Sequence, residues 1–366
     1  MKILIVFGTR PEAIKMCPLV AELKKHSDIE CKICLTGQHR EMLRQVIDAF
    51  GIFEDYNLDI MREKQTLSSI TASILDKIGK VLEIERPDIV LVHGDTTTSF
   101  AAALSAFYHQ IPVGHVEAGL RTGNIYSPFP EEMNRILTGQ IACYHFAPTE
   151  KNRENLQKEN VTKNVFVTGN TVIDAFHTTV RENYQFQNPV LKNIDCQKQC
   201  VILLTAHRRE NIGLPLRNIC NAVKKLVDKY EDIEVIYPVH LNPAVREIVY
   251  PILDGIDRVK LIEPLDVLDM HNLLARCFFV MTDSGGLQEE APAFGKPVLV
   301  LRTETERPEA VEAGTVKVVG IQEKDVLDAA SVLLDDQDEY KKMAHAVNPY
   351  GDGHASKYIV EALLKI

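Results

Sequence analysis

Residues 88–98 read Asp88-Ile89-Val90-Leu91-Val92-His93-Gly94-Asp95-Thr96-Thr97-Thr98. The apolar run from Ile89 to Val92 does not alternate with polar residues. A strand with one wet face alternates, so a run without alternation predicts a strand covered on both faces, as in a parallel sheet. The Gly94-Asp95-Thr96 stretch that ends it is turn and helix-cap material. The segment therefore reads as strand, turn and helix. It places Asp95 at the C-terminal end of a buried strand, where open α/β sheets collect their sites.

The same alternation continues in both directions. The first half holds strand candidates at 2–7, 30–36, 88–93, 112–116, 143–147 and 164–168, separated by helical patterns such as 11–25, 66–84, 98–109 and 131–141. The second half holds strand candidates at 200–205, 233–237, 258–262, 278–281, 297–301 and 315–319, each followed by a helical stretch. Two such series predict an α/β protein with two doubly wound, Rossmann-like sheets. Its 366 residues also exceed the roughly 250–300 at which one core usually splits. The expected domains are 1–182, 183–350 and a closing helix in 351–366, with polar residues 183–199 as linker.

The net charge of −10 disfavours a nucleic-acid partner on bulk electrostatics. No apolar segment reaches the ~20 residues that span a membrane, so no membrane insertion is expected. The opening apolar run Ile3–Phe7 reads as a strand rather than a signal-peptide core, and the cytoplasm is the expected compartment. Cys31 and Cys34 make the only C-x-x-C, but on a strand residues three apart face opposite sides. No metal is expected. There is also no G-x-G-x-x-G and no G-x-x-x-x-G-K-[ST], which disfavours a tightly held dinucleotide and a P-loop nucleotide.

Several strand ends suit anions or proton transfer. Gly8-Thr9-Arg10-Pro11-Glu12-Ala13-Ile14-Lys15 has capping-box spacing at Thr9 and Glu12, with Arg10 and Lys15 adding positive charge. Glu117 ends the 112–116 strand at the same sheet edge as Asp95, and neighbouring carboxylates can divide acid and base roles. Pro130 is expected to open a helix with Glu131 in its first turn, where Arg135 is the i,i+4 ion-pair candidate. Asp95 is equally readable as a helix cap. In the second half, His207-Arg208-Arg209 follows a strand, and Asp283-Ser284-Gly285-Gly286 opens a helix that Ser284 can cap. The two glycines there would let a phosphate approach the backbone. These features predict a diphosphate-bearing ligand and proton chemistry.

Taken together and in register, Gly8-Thr9-Arg10-Pro11-Glu12, Thr36-Gly37-Gln38-His39, His93-Gly94-Asp95-Thr96, Val116-Glu117-Ala118-Gly119-Leu120-Arg121, Pro130-Glu131-Glu132 with Asn134-Arg135, His207-Arg208-Arg209-Glu210-Asn211, Asp283-Ser284-Gly285-Gly286 with Gln288-Glu289-Glu290, and Arg307-Pro308-Glu309 resemble the non-hydrolysing UDP-N-acetylglucosamine 2-epimerases. The Gly351-Asp352-Gly353 turn extends the resemblance across essentially the whole chain. It implies a glycosyltransferase-B-like fold with the nucleotide sugar in an interdomain cleft and a last helix returning to the first domain. It implies interconversion of UDP-GlcNAc and UDP-ManNAc without a cofactor, in a cytoplasmic homodimer serving polysaccharide biosynthesis.

By the same resemblance, Asp95, Glu117 and Glu131 are acid/base candidates and His207 assists the departing phosphate. Arg10, Lys15, Ser284, Gly285, Gly286, Glu290 and Arg307 would hold UDP. Gln38, His39, Lys64, Gln65, Arg208 and His240 stand where an activating second UDP-GlcNAc would bind. Lys64 replaces an expected Arg, keeping the charge but losing the bidentate fork. Leu265 and Met270 replace Gln and Phe, leaving a uracil more dependent on apolar contact and backbone groups. Rival activities are epimerisation of a modified UDP-amino sugar, hydrolysis to free ManNAc, and glycosyl transfer.

Overall fold

A computed structural model describes residues 1–37, 40–62, 65–196 and 198–365. The chain divides into two compact units, Met1–Thr178 with Tyr350–Ile366, and Thr179–Pro349. In the first unit the order is β1 (Lys2–Phe7), α1 (Arg10–Leu23), β2 (Glu30–Leu35), α2 (Arg40–Ala49), β3 (Tyr56–Asn57), α3 (Leu67–Glu85), β4 (Ile89–His93) and α4 (Thr97–Tyr108). It continues through β5 (Val113–Val116), α5 (Glu131–Ile141), β6 (Tyr144–Ala147), α6 (Glu150–Lys158), β7 (Val165–Val167) and α7 (Thr171–Thr179), which runs up to the boundary. The second unit begins with β8 (Cys200–Thr205), α8 (Leu214–Lys229), β9 (Ile233–Pro238), α9 (Pro243–Leu253), β10 (Val259–Ile262), α10 (Val267–Arg276) and β11 (Phe279–Thr282). It ends with α11 (Gly285–Glu290), β12 (Val298–Val300), α12 (Pro308–Ala313), β13 (Val316–Val318), α13 (Glu323–Asp335) and α14 (Gln337–Ala344), and α15 (Ala355–Leu363) then rejoins the first unit.

The described strands form a seven-stranded sheet ordered β3-β2-β1-β4-β5-β6-β7 and a six-stranded sheet ordered β10-β9-β8-β11-β12-β13. The strand pairs in both sheets are parallel. Two Rossmann-like units are therefore present, as the alternation of strand and helix patterns predicts. The short edge strand β3 escaped that reading, because two residues carry no period.

In each sheet the order reverses beside the unit's first strand, between β1 and β4 and between β8 and β11. That reversal opens a crevice beyond the strand ends, the usual place for ligands in such sheets. The strands bordering it are dry: Ile3–Phe7 and Val90–Val92 in one unit, Ile202–Leu204 and Phe279–Val280 in the other, are 0% exposed. Helices cover the sheet faces, with Ile74, Ile78, Ala102 and Ala106 packed in one core and Leu216, Val223, Val245 and Ala330 in the other. Rigid strands thus end in turns whose side chains hold fixed positions.

The start of the 183–199 stretch is held within the second unit. The carboxylate of Asp269 on α10 accepts from Tyr184 Oη at 2.9 Å, Gln187 N at 2.9 Å and Asn188 N at 2.8 Å. Asp174 of α7 ties down the start of α15, accepting from Ala355 N at 3.1 Å and Ser356 N at 2.7 Å. Burial pushes the Asp174 carboxyl above its ordinary value despite those bonds. Among the described residues no helix is long and apolar enough to cross a membrane.

Candidate active site

In the first unit the chemistry gathers at the β1–β4 reversal. Thr9 caps α1 and Glu12 completes the capping box, as its spacing predicts. The structure adds a larger role for Glu12, which is 2% exposed. Its Oε2 accepts from Gly8 N at 3.0 Å, Thr9 N at 2.8 Å and Thr9 Oγ1 at 2.8 Å. Its Oε1 accepts from Thr96 Oγ1 at 2.7 Å and Ser99 Oγ at 3.1 Å. One carboxylate thus joins the β1–α1 and β4–α4 turns.

Thr96, rather than Asp95, caps α4, its hydroxyl accepting from Ser99 N at 3.1 Å. Asp95 is thereby left to other partners, and its Oδ2 pairs with Arg135 Nη2. Arg135 side-chain exposure is only 5%, against 27% for Asp95. The same guanidinium reaches Glu117, Nη1 lying 3.9 Å from Oε1. Arg135 is turned to the sheet edge, where it meets Asp95 and Glu117. Glu131 is the first residue of α5, as Pro130 predicts, and is only partly buried.

Glu117 sits at φ +61°, a left-handed conformation that non-glycine residues avoid. Such a residue costs of order 1–3 kcal/mol, and an outlier at a strand end points to function. Polar contacts hold it there: Lys15 Nζ pairs with its Oε2, Asn170 Nδ2 donates at 3.3 Å, and His93 Nε2 lies at 3.6 Å. Gly119, two residues on, has φ +90°, and a Cβ there would fall 2.2 Å from Asn152 O, so the turn presenting Glu117 cannot carry a side chain at that point. Arg10 stands at the first position of α1. Asp95, Glu117, Lys15 and Arg135 therefore form one cluster, close beside the turn that carries Arg10.

His115 supports the floor of this cluster. Its Nε2 lies 2.7 Å from Gly94 O, and burial depresses its pKa to about 3. Burial likewise depresses His145 to about 4. Both rings are neutral props rather than proton carriers at neutral pH.

In the second unit the chemistry gathers at the β8–β11 reversal. Asp283, 0% exposed, accepts on Oδ2 from His207 N at 2.8 Å, Arg208 N at 2.8 Å and Asn211 Nδ2 at 3.0 Å. The His207 ring stacks on His240, centroids 4.9 Å apart and planes 8° off parallel. Burial lowers the His207 pKa; the charge of Asp283 opposes this, while His240 and Arg208 add to it.

Arg208 Nη1 lies 3.3 Å from Glu306 Oε1, and Arg302 Nη2 reaches the same oxygen at 3.3 Å. Arg307 Nε donates to Glu289 at 2.7 Å. Burial works against ionisation of Glu306, but the charges of Arg208, Arg307 and Arg302 outweigh it and lower its pKa.

Ser284 occupies the N-cap position of α11, but its side chain makes no capping bond. The space that Gly285 leaves is taken by Arg307, since a Cβ there would lie 2.4 Å from Nη1. Gly285 thus lets a guanidinium lie on the turn. Glu290 Oε2 stands 3.8 Å from His271 Nε2.

Of the residues expected at an activating site, Arg208 and His240 flank His207. Gln65 lies in the first unit, its Nε2 donating to Ile60 O at 2.7 Å. Gln38, His39 and Lys64 lie outside the described residues. Cys31 and Cys34 share β2, and burial pushes their thiols to about 11 and about 12.

Motif reading passed over the work of Glu12, Arg135, His93 and Asn170. Arg135, His93 and Asn170 reach their partners only through the fold, and Glu12 reaches Thr96 and Ser99 only through it.

The model of the UDP-N-acetylglucosamine 2-epimerase family matches residues 21–364. A Bacillus subtilis UDP-N-acetylglucosamine 2-epimerase is 59% identical, over 100% of this chain and 95% of its own length. Among solved structures, the Neisseria meningitidis UDP-GlcNAc 2-epimerase bound to UDP-GlcNAc has 50% identity and a TM-score of 0.92, with 100% of both chains covered. The Methanocaldococcus jannaschii UDP-GlcNAc 2-epimerase, in complex with UDP-GlcNAc and UDP, has 34% identity and a TM-score of 0.82, again with 100% of both chains covered.

Proposed function

The chain belongs to the UDP-N-acetylglucosamine 2-epimerase family, and we propose that it interconverts UDP-GlcNAc and UDP-ManNAc without hydrolysis and without a redox cofactor. The observation that carries this reading is the cluster at the β1–β4 reversal. There, two carboxylates at neighbouring strand ends share one buried guanidinium, and one of them is held in a strained backbone conformation.

The chemistry requires such a cluster. The C2 proton of the sugar has no adjacent carbonyl, so simple deprotonation is too costly. A carboxylate base removes that proton as the C1–O bond breaks. The C–H electron pair forms the C1=C2 double bond of 2-acetamidoglucal, and the C1–O pair departs on the diphosphate of UDP. In the return step an acid delivers a proton to the opposite face of C2, and a diphosphate oxygen attacks C1. Asp95, Glu117 and Glu131 share the acid and base roles. His207 assists the leaving diphosphate, and Arg10, Lys15, Ser284, Gly285, Gly286, Glu290 and Arg307 hold UDP through both steps. Lys15 rests on Glu117; a diphosphate offers its ammonium a second anion, which would release the Glu117 oxygen for the proton.

Incubation with UDP-GlcNAc in D2O, followed by NMR with no acceptor present, tests the reading. Deuterium at C2 with both UDP-linked epimers is the expected result. Free ManNAc with UDP would replace it by hydrolysis, and folded protein that leaves C2–H intact would refute it.

A further inference from the structure

Asp283 is a fully buried carboxylate whose two oxygens are used unequally. Oδ2 accepts the three bonds that shape the His207–Asn211 turn. Oδ1 is equally buried and has no hydrogen-bond partner among the described residues. An oxygen left so is costly, and a native structure that tolerates one usually has a use for it. The ring facing it is His207, with Nδ1 3.9 Å from Oδ1.

We infer that Asp283 is the positioning residue of His207, its Oδ1 taking the Nδ1 proton and thereby turning Nε2 outward as the atom that meets the diphosphate. A closing movement of about 1 Å would bring the pair to hydrogen-bond length. The dyad steadies the imidazolium that forms as the diphosphate leaves. This rests on the role given to His207 under Proposed function.

The groups facing the ring come from each neighbouring element. Asp283 follows β11, and His240 follows β9 and stacks on the ring. Arg208 is on the ring's own segment, and its charge is drawn off by Glu306 at 3.3 Å and Glu210 at 3.6 Å. Among these neighbours, the Asp283 carboxylate is the anion in contact range of Nδ1. A plain scaffolding role would need only Oδ2. Asparagine could fill that role, since its amide oxygen can accept the same three bonds, but its NH2 group cannot accept a proton from Nδ1.

That difference makes Asp283→Asn the test. The His207 imidazole, identified by its loss in His207→Asn, is followed by NMR through a pH titration in both proteins. In the unaltered protein the neutral ring should carry its proton on Nδ1. In Asp283→Asn the ring should titrate at lower pH and lose that tautomer preference. C2 exchange by Asp283→Asn should fall about tenfold at pH 8 and recover toward pH 6, with KM for UDP-GlcNAc within about twofold. An Nε2–H tautomer in the unaltered protein, or an unmoved titration in a folded Asp283→Asn, overturns the inference. If that variant does not fold, the tautomer in the unaltered protein decides alone. A shifted titration with an unchanged exchange profile upholds Asp283 and refutes the role given to His207.

Discussion

Glu12 and Asp283 are the buried carboxylates beneath the two sheet reversals, and they are finished differently. Both oxygens of Glu12 are saturated by hydroxyl and backbone donors. Asp283 keeps one oxygen facing a histidine. The polarity above them is inverted as well. In the first unit the more exposed member of the buried pair is the anion, Asp95 at 27% against Arg135 at 5%. In the second it is the proton-accepting ring, His207 at 39% against Asp283 at 0%. The same topology thus presents carboxylates at one sheet edge and cations at the other. The fold assigns the place and the side chains assign the charge, one edge suited to moving a proton and the other to holding a diphosphate.

Glu117→Gln should break the comparison most sharply. Removing one of the three proposed acid/base groups should lower C2 exchange by about 10²–10⁴-fold while UDP affinity, measured by calorimetry, stays within about twofold, because Arg10, Lys15 and the cations of the second unit keep their charge. An equal loss of UDP affinity would show that the two edges do not divide the work.

Next in size is Glu12→Gln. It turns an NH2 group against hydroxyl donors and should cost roughly 2 kcal/mol, a fall of about 4–8 °C in Tm for a unit of this size. The pH dependence of exchange should not move, in contrast to Asp283→Asn. A displaced pH limb would make Glu12 more than scaffolding.

Acid should act on the first unit through its two deeply buried histidines. A histidine depressed by folding contributes its stability fully above the ordinary value of 6.5 and loses it as pH falls toward the folded value, about 3 for His115 and about 4 for His145. Urea unfolding of the first unit should therefore weaken below pH 6.5, by at most ~1.4 kcal/mol per pH unit for each ring. His115→Gln should flatten part of that slope; an unchanged slope would remove His115 from the account.

The smallest effect is expected from Arg208→Gln. It loses one charged fork at the expected activating site while Arg302 and Arg307 remain on Glu306, so activation by excess UDP-GlcNAc should weaken by about fivefold while UDP affinity stays within about twofold. Unchanged activation would place Arg208 outside the activating site.

Much of this is legible in the sequence itself. Buried parallel strands write their dryness directly into runs such as Ile89–Val92, and caps such as Thr9 and Glu12 act within four residues. Local chemistry therefore placed both sheets, and put Asp95, Glu117 and His207 at strand ends, without reference to the rest of the chain. Only the tertiary structure joined Arg135 to Asp95 forty positions away, Asn170 to Glu117, and Asp283 to His207. Those pairings depend on strand order and on which helix face turns inward. A period of two or 3.6 residues records neither, because partners brought together by a crossover leave no spacing in the sequence between them.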